Sequence, residues 1–187
     1  MDKKKALLII DMQEGSFTEA TPRYDTDGVV DRINTLADQC RKIGNLVIFI
    51  LHDGSKWGEF IPQTKEWQPL NGLKIDPTDL FVGKTANDAF HQSQLHEILD
   101  INDISELIIT GCATDFCVES TIQSAITRNF DITVVKDAHT TADREGLLAK
   151  QVIDHYNWVW QNMIPTQGTV KVLAQNEIQI ANNITVN

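Results

Sequence analysis

The sequence predicts an α/β fold: a three-layer α/β/α sandwich around a central, mostly parallel sheet of five or six strands. Three observations carry that expectation. Runs such as Leu7-Leu8-Ile9-Ile10 and Val47-Ile48-Phe49-Ile50-Leu51 are apolar at every position, as in strands covered on both faces. Between such runs lie stretches whose apolar residues recur at three and four, the period of a helix with one buried side. Strand and helix alternate along the chain, which is the order that builds a parallel sheet with helices on each side.

The elements follow in order. Residues 6–10 form a strand ended by Asp11. In 29–43, Val29, Val30, Ile33, Leu36, Ala37, Cys40 and Ile43 make one helical face, and Gly44 supplies the stop. Residues 46–51 are a second strand, ended by His52. A looser region with Pro62, Pro69 and Gly72 leads to a third strand at 79–82, followed by Gly83-Lys84. Residues 89–99 read as a helix, 107–109 as a strand, and Val118, Ile122, Ala125 and Ile126 as the stripe of the next helix. A strand at 131–135 ends at Lys136-Asp137, 147–160 is a long helix, and 169–173 is the last strand.

The 187 residues suit one domain spanning 1–187. A formal net charge of −10 argues against a general nucleic-acid partner, because no excess of cations is available to displace counterions from phosphates. The apolar run near the N-terminus is too short for a signal-peptide core or a membrane span. Three cysteines are too few, and odd in number, for a disulfide framework. The expectation is a cytoplasmic protein with free thiols, acting on a small molecule and on neither nucleic acid nor membrane.

Side chains capable of chemistry fall just past strand ends: Asp11, His52, Lys84, Cys112, Cys117 and Asp137. Ligands of open parallel sheets bind at that carboxyl edge, so these distant residues are expected to converge. Cys117 opens the helix after the fourth strand, with Thr114 or Asp115 available as its cap. The positive end of a helix would lower a thiol pKa there, and its N–H groups could hold an oxyanion. The competing reading is a buried structural cysteine, the reading preferred for Cys112 and Cys40. Zinc on the thiols would want a second Cys or His pair, and a redox dithiol more often has Cys-x-x-Cys spacing. Gly83-Lys84-Thr85 lacks the first glycine of a phosphate-binding loop, since residue 78 is threonine. Lys84 is then either a stabiliser of an anion or a solvated lysine, and Asp11 either a general base or a turn cap.

Three segments together carry a resemblance: Leu8-Ile9-Ile10-Asp11-Met12-Gln13, Val82-Gly83-Lys84-Thr85-Ala86-Asn87-Asp88-Ala89-Phe90, and Thr110-Gly111-Cys112-Ala113-Thr114-Asp115-Phe116-Cys117-Val118-Glu119-Ser120-Thr121, and Val134-Val135-Lys136-Asp137-Ala138 also fits. In that order, over roughly 6–140, the chain resembles the isochorismatase-like (cysteine hydrolase) superfamily, which includes nicotinamidases. The resemblance implies a catalytic triad of Asp11, Lys84 and Cys117. It also implies a cis peptide before Ala113 and an oxyanion hole from the N–H groups of Ala113 and Cys117. The implied chemistry is hydrolysis of a C–N, amide-type bond through a thioester, with no cofactor, and the implied assembly is a homo-oligomer, dimer or tetramer. The Trp57 to Trp67 region and the C-terminal segment are candidates for its interface.

Zinc-bearing nicotinamidases resemble D-x-H followed by further histidines, whereas this chain reads Leu51-His52-Asp53-Gly54, so no metal is expected. Relatives that cleave the vinyl ether of isochorismate lack the cysteine, which makes that chemistry the alternative, beside a non-catalytic binding or assembly protein on the same fold. Gln13, Phe17, His52, Trp57 and Phe90 lie near the right motifs to line a substrate pocket.

Overall fold

The computed structural model describes residues 4–180. Residues 1–3, and 181–187 of the C-terminal segment considered above for an interface, lie outside the described residues. Six parallel strands are arranged in the order β3-β2-β1-β4-β5-β6. They are β1 (Lys4–Ile10), β2 (Leu46–His52), β3 (Leu80–Lys84), β4 (Ile104–Cys112), β5 (Asp131–Thr140) and β6 (Val170–Leu173). The helices are α1 (Thr26–Lys42), α2 (Leu95–Ile101), α3 (Glu119–Thr127) and α4 (Ala149–Gln161).

The alternation of side chains along each strand divides the core into two layers. Leu7, Ile9, Val47, Phe49 and Ile108 meet the α1 face of Val29, Ile33, Leu36, Ala37 and Cys40. Their neighbours Leu8, Ile10, Ile48, Ile50, Leu107 and Ile109 meet Leu95 and Leu99 of α2, Ile122 and Ala125 of α3, and Trp160 of α4. Helix α1 stops as its sequence requires, with Gly44 in the left-handed region (φ +75°) and its N–H donating to the carbonyl of Arg41.

The strand order reverses direction between β1 and β4, and a sheet that reverses there leaves a crevice at its carboxyl edge. Gly111 is the tightest point of that edge. It pairs with Ile10 at a φ of +126°, and a Cβ there would sit 2.1 Å from the Ile10 carbonyl oxygen. Only glycine lets the two strands approach this closely where the site is built.

Several boundaries differ from the sequence reading: β4 spans Ile104–Cys112 rather than 107–109 and α1 starts at Thr26 rather than 29, and three further differences have local causes. Helix α2 begins at Leu95 rather than 89, because side chains take the backbone donors ahead of it. Asp88 accepts from the N–H of Phe90 (2.8 Å), Thr121 from that of Ala89 (3.1 Å), and Gln92 turns into a positive φ. Strand β5 runs on to Thr140 rather than ending at Val135. Val134 pairs with Ile109 but His139 pairs with Gly111, so four residues of β5, Val135 to Ala138, stand against one of β4 before the chain rejoins that ladder. The turn ahead of α3 is π-helical, Thr114–Val118, and neither Thr114 nor Asp115 caps it.

Replacing Gly111 with alanine is expected to cost about 3 kcal/mol of stability, because backbone must move. Gly44→Ala, with open space around it, should cost about 1 kcal/mol. Urea unfolding of the two variants measures the difference.

Candidate active site

At the crevice, Asp11 leaves β1 with a positive φ (46°), a conformation that aspartate tolerates better than most residues. Its backbone N–H donates to the Ile50 carbonyl (2.9 Å), which fixes the turn to β2. Lys84 closes β3 with its side chain fully buried. The ammonium lies 2.6 Å from Asp11 Oδ2, 2.9 Å from the Ala86 carbonyl oxygen, 3.4 Å from Cys117 Sγ and 3.5 Å from His52 Nδ1. A lysine has three protons to donate, so these acceptors saturate it. Asp11 Oδ1 is buried and has no hydrogen-bond partner among the described residues.

The electrostatics follow from this packing. Burial alone would lower the pKa of Lys84, but the Asp11 carboxylate, with the hydrogen bonds to Asp11 and Cys117, outweighs it and holds it above the usual lysine range. Burial, then the Lys84 charge, lower the pKa of His52, which leaves its ring neutral and able to accept from the ammonium. Burial, then the Asp11 carboxylate, push the Cys117 thiol above its ordinary range, against the pull of Lys84. The sequence reading expected the helix start to lower it. In the folded chain burial and the facing carboxylate dominate, so the resting sulfur keeps its proton, and Asn87 Oδ1 lies 3.6 Å from it.

Cys117 is partly exposed, whereas Cys40 and Cys112 are buried, with burial pushing both thiols up to about 12. The peptide between Cys112 and Ala113 is cis, and Val118 donates to the Ala113 carbonyl (3.2 Å) across the π-helical turn. That turn is braced from behind. His139 is wholly buried between Thr114 and Asn157. Asn157 gives its amide N–H to the Lys136 carbonyl (2.9 Å), so its oxygen faces His139 and accepts the Nε2 proton (3.0 Å). Nδ1 is then the acceptor for the Thr114 hydroxyl (2.8 Å). On the other side Arg144 grips Asp115 with two hydrogen bonds (2.8 and 3.0 Å) and lies over the Phe116 ring.

The opening above the sulfur is a cavity of about 460 Å³. Asp11, His52, Asn87, Ala113, Phe116 and Cys117 line it together with Arg23, Glu59, Phe60 and Arg144. Of the residues expected at one rim, Asp11, His52, Lys84, Cys112 and Cys117 meet here. Asp137 does not, because the β5 bulge carries it to a separate cavity beside Arg32 and Lys150.

Of the expected pocket residues, His52 lines this cavity and the others lie elsewhere. Gln13 is fully buried and clamps β1 to β2, accepting from His52 N–H (2.7 Å) and donating to the carbonyls of His52 (3.1 Å) and Trp67 (2.9 Å). Phe17 borders adjoining cavities. Trp57 is 76% exposed beneath Lys56. Phe90 is buried against Phe130 and Arg128, because the chain at 86–93 turns rather than continuing as a helix. Asn87 and Phe116 stood inside the quoted segments. Arg23, Phe60 and Arg144 had no signal, since each arrives from a loop whose path no local pattern sets. Among the described residues no three His, Cys, Asp or Glu side chains gather as a metal-ligand set, and Asp53 turns away to bond Ser55.

A parallel six-stranded α/β sandwich with a carboxylate, an ammonium and a thiol at its switch point defines a class of protein. Within it, this chain belongs to the isochorismatase family, whose Isochorismatase domain matches residues 5–167. Two streptothricin hydrolases of Streptomyces noursei are 29% and 30% identical over 139 and 141 residues, 74% of this chain in each case. The chain spans 50% and 55% of their lengths, about half of each. A solved isochorismatase family protein superposes with a TM-score of 0.84 at 28% identity, covering 91% of this chain and 98% of its own. N-carbamoylsarcosine amidase from Thermoplasma acidophilum shares the fold, with a TM-score of 0.73 at 23% identity over 94% of this chain and 99% of its own.

Two outcomes test these assignments. Cys117, the partly exposed thiol, should alkylate with iodoacetamide in the folded chain at least about tenfold faster near neutral pH than the buried Cys40 and Cys112, as mass mapping of the modified residues measures. The His139 ring, lowered by burial to about 4, favours the folded state only while neutral. An unfolded histidine protonates first, so this contribution is present above about pH 6.5 and declines as pH falls toward 4, a loss of roughly 3 kcal/mol. His139→Gln should remove that part of the stability-versus-pH slope in urea titrations.

Proposed function

We propose that this chain is a metal-independent cysteine hydrolase that cleaves a C–N, amide-type bond of a small molecule through a thioester on Cys117. The observation that carries this reading is the single ammonium of Lys84 bonded at once to the Asp11 carboxylate and the Cys117 sulfur, beneath an open cavity. A structural lysine would not need a thiol that reaches solvent.

The chemistry follows from those contacts. Asp11 takes the thiol proton, on the carboxylate whose second oxygen is unpaired. The thiolate, held beside the ammonium, attacks the substrate carbonyl carbon. The negative oxygen that forms turns toward the backbone N–H groups of Ala113 and Cys117 at the start of the π-helical turn. The C–N bond then breaks, and Asp11 returns its proton to the departing amine or ammonia. Water attacks the thioester with Asp11 again as base, releasing the acid and restoring the thiol. His52 stays neutral and orients the ammonium, and no step requires a cofactor. Family membership and relatives named as hydrolases support the reaction class. A reducing cytoplasm would keep Cys117 a thiol, and a homo-oligomer belongs to the same reading.

Ammonia release from a panel of small amides and ureides is the test. Cys117→Ala should lower kcat/KM by at least about 10³-fold. Turnover that survives this substitution would instead favour a vinyl-ether hydrolase, and no cysteine-dependent turnover on any compound would favour a binding protein.

A further inference from the structure

The cavity above Cys117 is lined by four charged side chains besides the buried ammonium, and their pairing is uneven. Asp11 is held by Lys84, and Arg144 is held by Asp115 through both ends of its guanidinium. Glu59 is exposed, so water screens its charge. Arg23 is different. Its Nε donates to the Ser16 carbonyl (2.8 Å), which fixes the plane of the guanidinium, and among the described residues no carboxylate pairs with it. It is only partly exposed, it borders the catalytic cavity, and it also borders the adjoining cavity of about 580 Å³ that Phe17, Thr18 and Leu70 help to line. Its positive field reaches inward far enough to act on Cys112, the residue at the end of β4.

A guanidinium whose Nε is anchored to backbone, with no carboxylate paired to it and a cavity beside it, is suited to bind a planar anion through paired hydrogen bonds. The geometry points to Arg23 as the specificity residue for a carboxylate carried by the substrate, at the end remote from the scissile C–N bond. This rests on the amide-hydrolase reading of the same site and adds the substrate class: small amides or ureides bearing an acid group. Arg144 is less suited to that purpose, since its Nε and one of its terminal nitrogens are already engaged by Asp115 and Thr141 and its charge is paired with the Asp115 carboxylate. The amide end lies over Cys117 between His52 and Phe116, and the acid end points toward the adjoining cavity.

The probes are matched pairs in which a carboxylate replaces a methyl group: succinamate against butyramide, glutaramate against valeramide, and 3-ureidopropionate against propylurea. Binding is measured by calorimetry on the Cys117→Ala chain, so that no turnover is needed, and ammonia release is measured on the wild type. The expected result is at least one pair in which the acid binds about 10- to 100-fold more tightly than its neutral partner. Arg23→Gln, placed on both backgrounds, should abolish that preference by raising KM for the acid by a much larger factor than for its neutral partner. Arg23→Lys should restore part of it. Equal binding of acid and neutral partner in every pair overturns the assignment, as does a loss in Arg23→Gln that is the same for both members. A carboxylate preference in binding without ammonia release from any compound would leave the Arg23 subsite standing and overturn the hydrolase reading alone.

Discussion

A buried ion pair holds this site together. Lys84 has no exposed side-chain surface and Asp11 very little, so each charge depends on the other for the solvation that water would otherwise provide. Removing one partner of such a pair leaves an uncompensated charge indoors, typically at a cost of about 3–5 kcal/mol. The pair therefore fixes where β1 and β3 end, although β2 lies between them both in sequence and in the sheet. His52 at the end of that intervening strand completes the contact by presenting a ring nitrogen to the same ammonium. The sulfur meets an electrostatic arrangement that already exists for structural reasons.

The turn that carries the sulfur is fixed independently. His139, neutral and enclosed, ties Thr114 to Asn157 on α4, while Arg144 and Thr141 tie Asp115 to the chain beyond β5. Both braces come from the segment just past the β5 bulge. The bulge is what lets one strand supply core residues at Ile132 and Val134 and, a few residues later, a polar prop beside Gly111. Strand periodicity and site support would otherwise compete for the same positions.

How much of this was legible in the sequence depends on the range of the interactions concerned. Runs such as 46–51 and the three-and-four spacing of 29–43 record burial on both faces or on one, so the sandwich and most of its strands could be read directly. Asp11, Lys84 and Cys117 could be named because each sits at a strand end and within a recognisable segment. The start of α2 was misplaced because Asp88 and Thr121 bond the backbone through side chains, which apolar spacing does not encode. The thiol's environment was also misjudged, since a helix start is local whereas the opposing carboxylate arrives from over a hundred residues away. The pocket was the least legible part. Trp57 and Phe90 look like substrate platforms in sequence, but one stands in solvent and the other packs on Phe130, whereas Arg23 and Arg144 reach the cavity from loops.

Strand β3 lies at the rim of the sheet and bonds to β2 alone. Phe81 lies across Phe49, and Arg41 holds Asp79 just ahead of it, but the strand has no second neighbour. The ammonium thus hangs on a ribbon at the margin of the sheet. If that ribbon peels away, the four inner strands retain their two oily layers and the chain still registers as folded by most spectroscopic probes. Its sulfur, however, would face a bare carboxylate. Thermal inactivation is therefore separable from global melting in this architecture.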